Sequence, residues 1–455
     1  MKKIAVILFG LFILLVGCQT NDSPETSEEA AAEESTPEEV ESEPNEPVEV
    51  VFWHAMGGAL QEALDQIVDQ YNASQDAVVV TADYQGTYDE ALTKFNTIAG
   101  TDSAPTMMQV FEIGTKSMIN SGGIEPIQTF VDAEGYDMSQ LEENIINYYQ
   151  LDDTFYSMPF NSSTPVMYYN KDAFDAAGLD ADTPPATYQE VEAASKQITE
   201  SNPEMKGFAL QAYGWLYEQL LANQGALLMN NDNGRSDTPT EVGFTEEEGK
   251  SVFEWVERMI NDDTFANYGT NGDNMIAGFF AEDVAMFIAS SANVRNVVDS
   301  APFEVGVGFL PYPEDKDREG VVIGGASLWM MNGKPEEEQL AAWDFMKYLQ
   351  TPEIQGAWHA STGYFAINPA AYEQPIVLET YEQIPQLQVT VEQLQSTVSS
   401  FATQGALMDM IPEGRRITET ALETVYNGGD VDTAYQSVVD QINAAIEQAN
   451  RARGE

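Results

Sequence analysis

An α/β fold built on parallel strand pairing is what this sequence predicts, on three observations. Residues 50–53 (Val-Val-Phe-Trp) form a short apolar strand, after which Leu60, Leu64, Ile67, Val68 and Tyr71 recur at helical spacing over a polar background. The alternation then repeats, with a strand opening at Val78-Val79-Val80, a helix over 88–98 and a strand over 105–111. Strand, helix and strand of these lengths imply parallel neighbours joined by right-handed crossovers. Finally, 455 residues with 43% apolar content suit two or three structural units with a sizeable core, and no internal repeat is present.

The remaining elements follow in order. The stretch 171–292 reads as mainly helical, with loops rich in Asn, Asp and Gly such as 230–237. Short apolar strands return at Val305-Gly306-Val307-Gly308 and at Ser327-Leu328-Trp329-Met330. The C-terminal part is helical. Leu340, Trp343, Phe345, Met346 and Leu349 make one buried stripe, and Val438, Ile442 and Ile446 another. In open sheets of this type ligands sit beyond the carboxyl ends of the strands. The loops after Phe52, Tyr84 and Phe111 are therefore the places to look.

Charge narrows the function. Nineteen Lys and Arg against 75 Asp and Glu give a formal charge of −56, which repels nucleic-acid backbones and anionic lipid. Such acidity suits salty surroundings, where exposed carboxylates hold hydration. The single cysteine, Cys18, excludes an internal disulfide framework and a cysteine metal cluster. His54 and His359 are the only histidines, so a His-rich zinc site is excluded as well. Both lie beside tryptophan and read as structural. No phosphate loop of the Walker or dinucleotide type occurs, and no cofactor or metal is expected.

The N-terminus gives an address. Lys2 and Lys3 precede an apolar run over residues 4–17, too short to span a bilayer, which needs about 20 residues. It ends in Leu15-Val16-Gly17-Cys18, which resembles the lipobox of bacterial lipoproteins. Residues 1–17 are then a lipoprotein signal peptide, and Cys18 becomes the lipid-bearing N-terminus, palmitate included. Residues 18–48 hold one Asp and ten Glu with no basic residue, and read as a disordered acidic tether. The expected location is the outer face of the cell membrane, extracellular or periplasmic, held by lipid alone.

Several clusters of small polar residues stand apart from the core pattern: residues 160–165 (Phe-Asn-Ser-Ser-Thr-Pro), 289–292 (Ala-Ser-Ser-Ala), 323–327 (Ile-Gly-Gly-Ala-Ser) and 362–364 (Thr-Gly-Tyr). Singly each reads as a turn or a cap. Together their hydroxyls and glycine-exposed amides supply what a polyol needs, many hydrogen bonds without a large charge. Arg415-Arg416 is the only adjacent pair among eight arginines, and a guanidinium fork matches phosphate geometry.

Residues 52–56 (FWHAM), 109–114 (QVFEIG), 159–178 (PFNSSTPVMYYNKDAFDAAG), 323–329 (IGGASLW) and 358–364 (WHASTGY) together resemble one family, the glycerol-3-phosphate-binding proteins of ATP-binding-cassette importers. The resemblance runs from Val50 to Arg453. It implies a two-lobe periplasmic-binding-protein fold, type II and maltose-binding-protein-like, with hinge strands and a ligand cleft between lobes. Residues 49–160 plus 293–345 are the expected lobe one, and 161–292 plus 346–455 lobe two. The implied protein is a monomeric receptor, not an enzyme, and its partners are a glycerol phosphate and the permease subunits.

Carried over one position at a time, the family's ligand contacts fall on Tyr88, Glu112, Ser163, Ser290 or Ser291, Gly325, Tyr364 and Arg415, with Arg416 one residue away. The family tryptophan flanking the glycerol end falls on Ala212, beside Tyr213, while Trp215 matches a second tryptophan read as packing. An alanine there implies room for a larger headgroup, hence sn-glycerol-3-phosphate or a glycerophosphodiester, unless Tyr213 restores the wall. The competing readings are a sugar or oligosaccharide receptor of the same class, a secreted hydrolase and an adhesin. The hydrolase lacks a recognisable carboxylate pair or metal site.

Overall fold

The computed structural model describes residues 46–101 and 103–454. The expected signal peptide, Cys18 and nearly all of the acidic tether lie outside the described residues. The tether was expected to reach residue 48, but Val48 already pairs with Val78 as the first residue of a strand.

Two sheets organise the chain. The first uses β1 (Val48–His54), β2 (Val78–Tyr84), β3 (Met107–Phe111) and β4 (Ile124–Glu125). After a small hairpin of β5 (Gln150–Leu151) and β6 (Thr154–Phe155), β7 (Met158–Ser163) returns to it. The second comprises β8 (Pro165–Asn170), β9 (Lys206–Leu210), β10 (Val284–Ser290) and β11 (Val305–Gly308), and β12 (Gly324–Met331) closes the first. Their orders are β2-β1-β3-β12-β4, with β7 also on β12, and β11-β8-β10-β9.

As the alternation predicts, β1 is parallel to both β2 and β3. The helix between β1 and β2, Ala59–Ser74, buries Leu64, Ile67, Val68 and Tyr71. The next helix starts at Tyr88 because Thr87 and Glu90 form a capping box. By contrast β12 runs antiparallel to β3, β4 and β7. Strands β9 and β10 lie inside the stretch read as mainly helical. The first six residues of β10 are all buried, so its apolar run carries no period that separates strand from helix.

Between β7 and β8 the chain passes from one sheet to the other through the single residue Thr164. Its carbonyl accepts from Ser291 N at 2.7 Å, its own N–H donates to Ser291 Oγ at 3.2 Å, and Gln393 Nε2 reaches its hydroxyl. A second passage leads from β11 to β12. Strand pairing and packing cut across the expected lobe ranges. β11 pairs with β8 and belongs to the second sheet, although 293–345 was assigned to lobe one. Trp358, Phe365 and Ile367 pack in one core with Val50 and Phe52, although 346–455 was assigned to lobe two. The physical reason is that β12 inserts into the first sheet and the segment through Ile367 packs with it, whereas Ile384 and Leu387 join the core under the second sheet.

Candidate functional site

Both passages between the sheets border one cavity of about 170 Å³. It is lined by Tyr88, Phe111, Glu112, Ser163, Tyr213, Trp215, Ser290, Gly324, Gly325, Tyr364 and Arg415. Ser163 ends β7, Ser290 ends β10 and Gly325 lies near the start of β12, where Gly324 pairs with Ser163 and Gly325 with Ser162. Ser290 and Gly325 thus come from different sheets onto one space. Gly325 has φ of 94°, and a Cβ there would meet the carbonyl of Asn161, so the strand pairing itself demands glycine.

Two aromatic side chains are fixed on separate supports. The Tyr88 ring stacks on Phe111 at 5.4 Å and 4°. Its hydroxyl accepts from Asn161 Nδ2 at 2.8 Å, Asn161 Oδ1 accepts from Gln109 Nε2 at 2.7 Å, and Gln109 Oε1 accepts from Ala55 N at 2.8 Å. This chain ties the hydroxyl to the end of β1. Tyr364 stacks on Trp358, which stacks on Phe160. Its carbonyl lies 2.6 Å from His359 Nδ1, while His359 Nε2 lies 3.0 Å from the Tyr381 hydroxyl. Burial lowers the His359 pKa to about 4, keeping the ring neutral. His54, also buried, accepts from Met56 N at 3.2 Å, and burial lowers its pKa too. Neither histidine lines the cavity.

Glu112 and Arg415 are the charged part of the wall, and with Glu218, which does not line the cavity, they form a triad. Arg415, on the helix Ile411–Tyr426, donates from Nη2 to Glu112 Oε1 at 2.9 Å. It also grips Glu218 with Nε to Oε1 at 3.0 Å and Nη2 to Oε2 at 2.8 Å. Nη1 is the corner that meets neither carboxylate. Glu218 belongs to the helix Gly214–Asn223, whose first residue has no Cβ because one would overlap the Arg415 backbone. Burial pushes the Glu112 carboxyl up while Arg415 pulls against it. Burial pulls Arg415 down, and Glu218 and Glu112 together raise it well above the ordinary value. Arg416 points out instead, pairing with Glu413 on its own helix. Of the two adjacent arginines, Arg415 faces the cavity.

The structure adjusts three site expectations. Ser291 does not line the cavity, because its hydroxyl is consumed at the Thr164 crossing. Ala212 does not line it either. It is buried in the core, and its N–H donates to Gly269 O. Tyr213 and Trp215 make the wall, with ring centroids 5.9 Å apart. Trp215, read as packing, is therefore a cavity residue, and Glu218 is a partner of Arg415 that the sequence pattern does not single out. A usable signal was present: Glu218 follows Trp215 by three residues and shares its helix face.

A second cavity of about 550 Å³ shares Tyr213, Trp215 and Ser290 with the first and extends to Gln211, Thr270, Asn271 and Asp273. The arrangement offers serine and tyrosine hydroxyls, two glycines of a strand edge and one guanidinium. Burial raises the Tyr213 hydroxyl to about 12 and Tyr88 and Tyr364 upward as well, so all three stay protonated donors at neutral pH. Among the described residues, no group of three or more His, Cys, Asp and Glu gathers to hold a metal ion. No helix there is long and apolar enough to cross a membrane.

Known proteins agree with this architecture. Residues 66–388 match the profile of the bacterial extracellular solute-binding proteins. The chain is 34% identical over 387 residues to the sn-glycerol-3-phosphate-binding periplasmic protein UgpB of Yersinia pseudotuberculosis, covering 84% of this chain and 88% of that one. Against UgpB of Escherichia coli it is 33% identical over 409 residues, covering 88% and 92%. Among solved structures, UgpB from Mycobacterium tuberculosis in complex with glycerophosphocholine superposes with a TM-score of 0.74 at 19% identity, over 88% of this chain and 98% of that one. The cyclic α-maltosyl-1,6-maltose binding protein from Arthrobacter globiformis gives 0.74 at 23% identity, over 88% and 100%. The fold is that of the maltose-binding-protein-like, two-lobe binding proteins. This chain belongs to the bacterial extracellular solute-binding protein family.

Proposed function

We propose that this protein captures sn-glycerol-3-phosphate or a glycerophosphodiester in the cavity at the sheet crossings and delivers it to the permease of an ATP-binding-cassette importer. It acts by binding, without catalysis, as an outward-facing monomer tethered through lipid on Cys18. Ligand favours the closed arrangement of the two lobes by touching both. The observation that carries this reading is the convergence of Tyr88, Glu112, Ser163, Ser290, Gly325, Tyr364 and Arg415 on one cavity. The curated relatives that bind sn-glycerol-3-phosphate supply the ligand class. In this assignment Arg415 Nη1, the serine hydroxyls and the Gly325 amide hold the phosphate, and Glu112 accepts from a glycerol hydroxyl.

Room for a second substituent comes from the adjoining cavity beyond Tyr213 and Trp215 rather than from Ala212. The same two aromatic faces are what a sugar receptor would use, which keeps the oligosaccharide reading as the competitor. Titration calorimetry in high salt with glycerol-3-phosphate, glycerophosphocholine and maltose decides between them. Saturable heat with at least one phosphate ligand and none with maltose is expected. Heat with maltose alone would overturn the assignment.

A further inference from the structure

The ionic cluster at the cavity carries net negative charge: Glu112 and Arg415 line the cavity, and Glu218 grips Arg415 from outside that lining. Glu112, Glu218 and Arg415 have side chains 6%, 17% and 7% exposed, and together they carry −1 when ionised. Arg415 is the only cation among the residues lining either cavity, and Asp273 adds a further carboxylate on the wider one. Glu419 stands beside the triad with Oε1 on Gly214 N. The other titratable groups facing it are the hydroxyls of Tyr88, Tyr148, Tyr149, Tyr213 and Tyr364, all held protonated by burial. Arg235 lies against the far side of Tyr148, with its guanidinium committed to carbonyls.

A phosphomonoester loses its second proton near pH ~6 and approaches two negative charges at neutral pH. A phosphodiester keeps one charge throughout. Inside a desolvated site the second charge is opposed by the uncompensated carboxylate, with little screening from salt. Remove Glu218 from the sum and the remaining pair is neutral.

We propose that Glu218 makes this site a charge filter, which accepts phosphate in the singly charged form, as a diester or as the monoprotonated monoester, and disfavours the dianion. Glu218 is a specificity and positioning residue here. It occupies the Nε–Nη2 edge of Arg415, leaves Nη1 for the ligand and supplies the excess charge. The inference rests on the glycerol phosphate reading above.

The test is titration calorimetry of the whole protein at fixed high ionic strength, at pH 6 and pH 8, with glycerol-3-phosphate and glycerophosphocholine. For the monoester, Kd should weaken by about fifty-fold from pH 6 to pH 8, following the shrinking monoanion fraction set by an ionisation near pH 6. The diester should change by less than about threefold, because it does not titrate there. Glu218→Gln should flatten the monoester's profile and shift the affinity ratio at pH 8 toward the monoester by about tenfold or more. A monoester Kd equal at both pH values would overturn the filter. So would a diester profile as steep as the monoester's, since Glu112 or another protein group would then be titrating. An unaltered monoester slope in Glu218→Gln, with a melting transition like the parent's, would remove Glu218 from the role. If that variant does not fold, the two profiles of the parent protein decide the matter. Absence of binding by both ligands would instead defeat the ligand-class reading on which the filter rests.

Discussion

The backbone carbonyl of Asn161 occupies the space that a Cβ on Gly325 would need, and Gly325 holds φ of 94°. The contact is between two backbones of paired strands, so neither can retreat without breaking the β7–β12 ladder. Gly325→Ala should therefore reduce stability by about 2–4 kcal/mol and weaken ligand binding, because the strand edge shifts beside Ser163. Denaturant unfolding together with calorimetry checks both. An alanine variant with parent stability and affinity would contradict this account.

The two adjacent arginines should behave differently. Arg415→Ala strands the buried Glu112 and the half-buried Glu218 and should lower stability by about 3–5 kcal/mol while abolishing measurable phosphate binding. Arg415→Lys keeps the charge but loses the fork, and should bind at least tenfold more weakly than the parent. Arg416→Ala removes one exposed pair with Glu413 and should change stability by less than about 0.5 kcal/mol. Side-by-side melts and titrations of the three variants provide the comparison.

His359 should make the fold acid-sensitive. Its folded-state pKa of about 4 lies below the ordinary 6.5, so the unfolded chain binds the proton first. The contribution is complete above pH 6.5 and is lost progressively as pH falls toward 4. At pH 5 the loss amounts to about 2 kcal/mol. His54 is shifted in the same direction by burial and adds to the trend. Comparing the stability change from pH 7.5 to pH 5 in the parent and in His359→Gln isolates the effect, and the variant should lose less.

Arg235 joins distant segments through carbonyls. Its guanidinium donates to Gly405 O at 2.8 Å, Gln404 O at 2.7 Å and Tyr148 O at 3.3 Å, and lies 5.3 Å from the Tyr148 ring centroid. Burial lowers its pKa to about 10, which still leaves it charged at neutral pH. Arg235→Met leaves these acceptors without a donor and should cost about 2–3 kcal/mol, measurable by denaturant unfolding.

The strands and helices around the first sheet were legible because their periods are clean and their boundaries carry caps, as at Thr87 and Glu90. The second sheet was not. β9 and β10 are short, almost wholly buried runs, and burial on both faces erases the alternation by which a strand is recognised. Site residues whose backbone ends a strand, such as Ser163 and Ser290, could be found from local sequence and resemblance. The choice of Ser290 over Ser291 depended on which hydroxyl the Thr164 crossing consumes, a long-range fact. Glu218 was hidden for the same reason. On its own helix it looks like one more acidic residue in an acidic chain, and only the approach of Arg415 at Gly214 gives it a partner.

The proposed function turns on phosphate held where the two sheets cross, against Arg415. A crystal structure of the protein with glycerol-3-phosphate tests it most directly. Phosphate oxygens are expected within hydrogen-bond distance of Arg415 Nη1 and of the Ser163 and Ser290 hydroxyls, with a glycerol hydroxyl on Glu112. Ligand density confined to the wider cavity between Gln211 and Asp273, with the Arg415 corner untouched, would contradict it.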